Sequence, residues 1–334
     1  MTKTVGWGLI GASNVAREWI IDAIRAQPDN EIVTVLSSDN DRAANYAAEN
    51  NIPHHCTQLE ALLSDDRIDA VYISTTNELH KQQALAAAAA GKHILCEKPL
   101  ALSLNDARDM IDACRRAGVI MATNHHLRNA ATHHEIRRML RDNVIGKPLF
   151  IRVFHANYLP PHLQGWRVNN AGGGVILDST IHDIDTLRFL LDAEPVSVTA
   201  MTQSALFTAG DQEDGVMAIV RFDNGAIAQI HGAYSVKVAP GGIEIYSTDK
   251  AIVARNVMSQ RAIGQVFLRD AEGEHEIPIV HENLYHRALR AFNKALRKEG
   301  EPAATGEDGL RSLAVALAIK EAAQTGCQRE VQYA

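Results

Sequence analysis

The sequence predicts two domains of different class: an α/β domain on a doubly wound parallel sheet, followed by an α+β domain with an open, largely antiparallel sheet. Three observations carry this. Through the first 123 residues, short apolar runs alternate with helical patterns, the grammar of successive β-α units. Beyond Gly146 the apolar runs alternate in sidedness and are parted by tight-turn sequences. The length of 334 residues exceeds one typical domain and suits two cores. The expected division is 1–123 and 124–334.

In order, Val5 to Ile10 reads as an apolar strand. It runs into Gly11-Ala12-Ser13-Asn14-Val15-Ala16 and a helical pattern through Trp19, Ile20, Ala23 and Ile24. This is the form of a Rossmann dinucleotide fingerprint, in which a glycine turn and a helix N-terminus face a pyrophosphate. It departs from the usual pattern at Ser13, which stands where a second glycine normally lets backbone approach phosphate. Glu31 to Leu36 is the second strand. It ends in Ser37-Ser38 where an NAD site places an acidic residue, and Arg42 follows one helical turn on. Two hydroxyls and a planar guanidinium suit a 2'-phosphate, so NADP(H) is favoured. Asp39 and Asp41 weigh against it if they turn inward, and the same residues also read as a polar loop with a helix cap.

Asp69 to Ser74 is a further strand, and Thr75-Thr76-Asn77 a polar loop. Leu79 to Ala90 is an alanine-rich helix closed by Gly91. The loop shares a sheet edge with Gly11 and Ser37, so Thr75, Thr76, Asn77 and His80 are expected at the cofactor, with Asn77 an alternative helix cap. Ile94-Leu95-Cys96 is a short buried strand, and Glu97-Lys98-Pro99 comes at its end. At the carboxyl end of a parallel strand a Lys faces the ligand crevice, and Pro99 biases Lys98 away from helical backbone. A helix from Ser103 to Ala117 begins with a capping-box-like Ser103 and Asp106. The strand Val119 to Ala122 leads into Thr123-Asn124-His125-His126-Leu127-Arg128-Asn129.

In the second half, strands are expected at Leu149–Tyr158, Val196–Ser204, Val216–Phe222, Ala226–Tyr234, Ile243–Ser247, Ala251–Ala254 and Gln265–Arg269. Turns fall at 223–225, 248–250 and 271–273, and helices at Leu284–Arg297 and after Thr305, which can cap with Asp308. Between the halves lies Gly172-Gly173-Gly174 and then Asp178, His182 and Asp185, spaced to share a helix face. The glycines allow backbone to approach a ligand. A His beside a carboxylate suits proton transfer, because its ordinary pKa of about 6.5 lies near working pH. No third ligand has suitable spacing, so no metal is expected.

Composition narrows the class. Net charge is −7 with Lys and Arg spread along the chain, which gives no basic footprint for nucleic acid. No apolar run reaches the length of a membrane span, and Met1 to Thr4 lead into a strand with no signal-peptide core, so a cytoplasmic protein is expected. Cys56, Cys96, Cys114 and Cys327 lack metal or redox spacing and read as reduced.

Gly11-Ala12-Ser13, Glu97-Lys98-Pro99 and Gly172 to Asp185, in this order over nearly the whole chain, resemble the glucose-fructose oxidoreductase, inositol dehydrogenase and MocA family. Three longer runs, Ser74 to His80, Thr123 to Asn129 and Tyr158 to Arg167, are similar to an NADPH-dependent sugar-ketone reductase branch of it. The resemblance makes Ser13 a point of similarity. It implies cofactor contacts at Glu97, Lys98, Asn124, Trp166, Arg167 and Tyr285, beside Gly11, Ala12, Ser13, Asn14, Val15, Ser37, Ser38 and Arg42. It implies hydride delivery to a sugar carbonyl, with His182 as proton donor, Asp178 orienting it or binding a hydroxyl, and Lys98 polarising the carbonyl. An NADP-dependent dehydrogenase of another sugar or inositol-like polyol, with substrate choice at Tyr158, His162 and His155, and a non-catalytic NADP or sugar sensor are the alternatives. The family implies pairing through the second sheet; Arg221, Gln229, His231 and Lys237 make that sheet partly polar, which fits a monomer. Both states stay open.

Overall fold

The computed structural model describes residues 4–169, 172–204, 212–239 and 241–333. It divides into two compact units, one running to His125 and adding Tyr285–Leu310, the other made of His126–Leu284 and the chain from Arg311 onward. The first boundary falls two residues from the expected 123/124. The return of 285–310 to the first unit departs from a sequential division, and aromatic packing accounts for it. Tyr285 stacks on Trp19 with ring centroids 5.3 Å apart, and Phe292 tilts against Trp7 at 5.2 Å.

In the first unit, β1 (Val5–Ile10), β2 (Asn30–Leu36), β3 (His54–Cys56), β4 (Ala70–Ile73), β5 (His93–Cys96) and β6 (Met121–Thr123) form a parallel sheet in the order 3-2-1-4-5-6. That order is the doubly wound arrangement. Both faces are covered by helices, which is why the strands read as nearly unbroken apolar runs; Trp7, Leu9, Ile10, Val71, Tyr72, Ile73, Ile94 and Cys96 are all buried. The helix Leu104–Ala117 begins as expected, with Ser103 Oγ accepting from the Asp106 amide, and ends on Gly118 in the left-handed region.

In the second unit, β7 (Pro148–Ala156), β8 (Pro195–Gln203), β9 (Gly215–Phe222), β10 (Ile227–Ala233), β11 (Gly242–Ser247), β12 (Ala251–Arg255), β13 (Gln265–Asp270), β14 (Gly273–Ile277) and β15 (Arg329–Glu330) form one sheet in the order 14-13-12-11-7-10-9-8-15. Its pairs are antiparallel except β7 with β10. β3, β14 and β15 were not expected: they are short or lie at an edge, and lack the alternation that marks a half-buried strand. Phe150, Met201, Met217 and Ile219 are exposed on this sheet, so it is less polar than Arg221 and Gln229 alone imply. Among the described residues no helix is long and apolar enough to cross a membrane.

The helix Ile181–Leu191 is pinned by buried charge. Arg128 makes a bidentate pair with Asp185, both bonds 2.8 Å, and Ser312 Oγ donates to the same carboxylate at 3.0 Å while accepting from Arg188. Nearby, His133 on the helix Ala131–Arg141 is fully buried with Nδ1 2.7 Å from the Leu127 carbonyl. Burial pushes its pKa down to about 4 from 6.5. Above pH 6.5 the ring is neutral in folded and unfolded chains alike. Between 6.5 and 4 only the unfolded chain takes the proton, so stability falls by up to about 3 kcal/mol. Urea titrations of wild type and His133→Gln at pH 7 and pH 4.5 test this: the wild type should lose more stability, and equal losses would refute it.

Candidate active site

Because β1 to β6 are parallel, the loop after each strand emerges at one edge, and the ladder carries one residue past the strand ends. Gly11 N–H donates to the Leu36 carbonyl, Ser74 to Ile10, Glu97 to Ile73 and Asn124 to Cys96, at 2.8 to 3.0 Å. This places the glycine turn, the Ser74–Asn77 loop, the Glu97–Lys98 pair and Asn124 along one edge. Gly11 has φ of 112° and an added Cβ would come 3.1 Å from the Ser74 backbone, so glycine is needed there. Ser13 has its own structural use: Oγ accepts from the Ala16 amide at 3.1 Å and donates to Ser74 Oγ at 2.8 Å. The helix that follows opens as a π turn, Ala16–Ile20.

The helix Asn40–Glu49 backs the turn. Arg42 Nη2 donates to the Ala12 carbonyl at 2.9 Å and Tyr46 Oη to that of Ser13 at 2.8 Å; burial pushes the Tyr46 phenol up to about 12, so it stays a donor. Asp39, the expected counterweight to a phosphate, caps this helix by accepting from the Arg42 amide at 2.8 Å. An open depression of about 510 Å³ lies here, lined by Ala12, Asn14, Arg17, Arg42 and Tyr46 together with Asn45, Asp39, Asp41 and Glu49. Ser37 and Ser38 do not line it. Ser37 is buried, and Ser38 exposed.

Further along the edge, Glu97 Oε1 accepts from the Tyr72 hydroxyl and, at 2.6 Å, from Asn124 Nδ2. Burial and the Glu97 charge push the Tyr72 phenol well above its ordinary pKa. Lys98 and Glu97 are both half-buried, and the peptide joining Lys98 to Pro99 is cis. Thr75 Oγ1 donates to Gln83 at 2.7 Å. His80 corrects an expectation: it is fully buried, with Nδ1 3.0 Å from the Pro99 carbonyl and Nε2 3.3 Å from that of Thr75, and burial lowers its pKa. It therefore ties two loops together and offers no surface to a cofactor. Asn77 sits inside a short 3₁₀ turn and is not the helix cap. Tyr285 is likewise fully buried against Trp19.

In the second unit, the expected helix opens with a π turn, Ile176–Thr180, before Ile181–Leu191. Asp178 therefore sits in the wider turn, while His182 and Asp185 lie three residues apart on the regular helix. Asp185 belongs to the Arg128 pair. Asp178 Oδ2 instead accepts from Arg167 Nε at 2.8 Å and the Tyr234 hydroxyl at 2.5 Å. Burial and the Asp178 charge push Tyr234 well up, which keeps it protonated as a donor. The Arg167 guanidinium also lies over the Trp166 ring, 4.8 Å from its centroid. His182 is buried with its ring edge-on to His126, centroids 4.5 Å apart. Gly173 and Gly174 allow close packing of the protein's own groups: a Cβ on Gly173 would lie 2.3 Å from the Arg167 carbonyl oxygen, and on Gly174 2.3 Å from Glu213 Oε1. His155 is held by Asp183 at 2.7 Å, while Tyr158 and His162 are exposed.

By placement, Gly11, Ser13, Arg42, Glu97, Lys98 and Asn124 lie along the strand-end edge of the first unit, and Arg167, Asp178 and His182 in the second unit; the sequence did not point to Tyr46, Tyr72, Tyr234 or Asp183 beside them. The tyrosines lie in apolar or amphipathic stretches, where an aromatic ring carries no sign of a working hydroxyl. Asp183 was hidden by its neighbour His182, which drew the helical pairing to Asp178 and Asp185.

Residues 5–125 match an oxidoreductase family with an NAD-binding Rossmann fold, and residues 133–253 match a GFO/IDH/MocA C-terminal domain. The 1,5-anhydro-D-fructose reductase of Ensifer adhaerens is 53% identical over 328 residues, covering 98% of each chain. The myo-inositol 2-dehydrogenase of Thermotoga maritima is 30% identical over 271 residues, 78% of this chain and 79% of that one. Among solved structures, the aldose-aldose oxidoreductase of Caulobacter crescentus shares the fold with a TM-score of 0.90 at 24% identity, over 98% of this chain and 100% of that one.

Gly174 gives the site a direct test. Its φ is 88°, and a side chain would strike the Glu213 carboxylate that accepts from the Ile176 amide at 3.0 Å. Gly174→Ala should lower stability by about 2 kcal/mol or more in urea unfolding. A loss under about 0.5 kcal/mol would refute the packing role.

Proposed function

The chain belongs to the Gfo/Idh/MocA oxidoreductase family, and from that premise we propose that it uses NADPH to reduce the C2 carbonyl of 1,5-anhydro-D-fructose, giving 1,5-anhydro-D-mannitol. It is an oxidoreductase acting on a sugar derivative, and its first unit takes a nicotinamide cofactor. The observation that carries the specific reading is the 53% identity to 1,5-anhydro-D-fructose reductase, spread over 98% of both chains.

The residues present fit such a cofactor. Gly11 turns in a conformation closed to other residues, and the depression beside it is bordered by two guanidinium groups, Arg17 and Arg42. Strand β2 ends in hydroxyls instead of the carboxylate that would hold an unphosphorylated ribose, and Asp39 is committed to its helix cap. These features support NADPH over NADH. Asp39, Asp41 and Glu49, which also border the depression, temper the positive field, with Glu49 3.9 Å from Arg17.

When bound, the nicotinamide supplies a hydride to the carbonyl carbon. The chain's own residues then manage the oxygen. His182 donates the proton that the reduced oxygen needs, imidazole being the side chain most often used for such transfer. Lys98 polarises the carbonyl as a cation. Asp178, fixed by Arg167 and Tyr234, binds a sugar hydroxyl.

Two measurements test this. NADPH oxidation at about 340 nm with 1,5-anhydro-D-fructose should far exceed that with NADH, glucose, fructose or inositol, and Arg42→Ala should cut kcat/KM for NADPH by about tenfold more than for NADH. Turnover only with another sugar would overturn the substrate. His182→Ala should lower kcat by roughly a hundredfold or more. A rate within a few-fold of wild type, beside a dead Lys98→Ala, would move the proton to Lys98.

A further inference from the structure

We propose that Asp183 is a positioning residue, whose buried carboxylate fixes the His155 imidazole as its Nδ1–H tautomer and so sets how that ring meets a sugar hydroxyl. The inference rests on the sugar-reductase reading for its substrate, and on the second unit alone for its geometry.

The geometry begins with a glycine. In the parallel pairing of β7 and β10, Gly232 stands opposite His155. A Cβ on Gly232 would come 2.4 Å from Thr180 Oγ1, so the missing side chain lets the π turn settle onto the sheet beside His155. Ser179 and Asp183 consequently reach the ring. His155 Nδ1 is 2.7 Å from Asp183 Oδ1 and 3.5 Å from Ser179 Oγ.

The two partners differ in access. Asp183 is wholly buried, whereas 16% of the His155 side chain is exposed, so a solute reaches the pair only through the imidazole. Among the described residues no hydrogen bond reaches Asp183 Oδ2, which leaves the imidazole to compensate the carboxylate. Burial pushes the Asp183 carboxyl up, and the imidazole draws it back. An ion pair in such surroundings contributes little net stability compared with an apolar pair, so stability alone is a poor reason for its presence. A carboxylate on Nδ1 does have a defined chemical effect: it requires the proton there, which makes Nε2 an acceptor on the neutral ring and a donor on the protonated one. The elements that carry the dyad also carry the residues assigned to catalysis: Ser179, 3.5 Å from the ring, follows Asp178 on the π turn, and Asp183 and His182 share the helix Ile181–Leu191.

The test combines a spectroscopic and a kinetic readout. Nitrogen-15 correlation spectra of the wild-type protein should show His155 protonated at Nδ1, and Asp183→Asn, whose amide can donate to that nitrogen, should shift the proton to Nε2. With whichever sugar carbonyl the wild type reduces, Asp183→Asn should lower kcat/KM by about tenfold or more, mainly through KM for the sugar, and leave the NADPH Kd within about twofold. His155→Asn preserves an N–H toward Asp183 while removing Nε2, and should lose kcat/KM to a similar extent. Kinetic constants within about twofold of wild type in His155→Asn would overturn the proposal, whether or not Asp183→Asn folds, as would a wild-type His155 carrying its proton on Nε2 alone. The tautomer is read without substrate, so a wrong choice of sugar leaves that result intact.

Discussion

The constraint on which the first unit depends is that its six strands are parallel. Parallel strands need crossovers, and crossovers return each strand in the same direction, so every carboxyl end arrives at one edge. The hydrogen bonds from Gly11, Ser74, Glu97 and Asn124 to the neighbouring strands then fix the first loop residues as firmly as the sheet itself. Residues far apart in sequence become neighbours along that edge with little further adjustment. Glu97 illustrates the result: its carboxylate is engaged by Tyr72 from β4 and by Asn124 after β6, so the residue before Lys98 is held on both sides.

The second unit solves a different problem, that of holding a helix rich in polar residues inside a core. His182, Asp183, Asp185 and Arg188 are all buried on one short helix. Each finds a neighbour: His126 for the first, His155 for the second, Arg128 and Ser312 for the third, Glu194 and Ser312 for the last. Removing one partner from such pairs leaves an uncompensated buried charge, so the set constrains where the helix can sit. The π turn at its start hands over from this rigid segment to Asp178, which Arg167 and Tyr234 fix in turn. Both site regions therefore open a helix with a π turn directly after a glycine-bearing segment, a feature often found where helices serve function.

Much of the fold was legible because it is written in local patterns. Apolar runs, Ser103 with Asp106, and Thr305 with Asp308 all announce elements through short-range chemistry, and the structure contains each. Short edge strands such as β14 were silent, since exposed Glu274, His275 and Glu276 leave no apolar face to read. Asp39 shows a different limit. Sequence offered its carboxylate two uses, a charge facing a phosphate or a helix cap, and the structure shows the cap bond to the Arg42 amide while Asp39 also lines the depression.

By itself, the sequence determined the order of β-α units, the change to an alternating sheet, the position of Lys98 after a buried strand and the family membership, because each depends on residue type and spacing along the chain. Only the tertiary structure decided which groups work together. Trp7 and Trp19 could not reveal that their aromatic partners lie near residue 290, and a helical repeat of Asp178, His182 and Asp185 could not foresee that the first would fall in a π turn ahead of the helix that carries the other two. The pairings Asp178 with Tyr234, Asp185 with Arg128 and Asp183 with His155 join residues 28 or more positions apart, and such contacts are set by burial and charge compensation in the folded core.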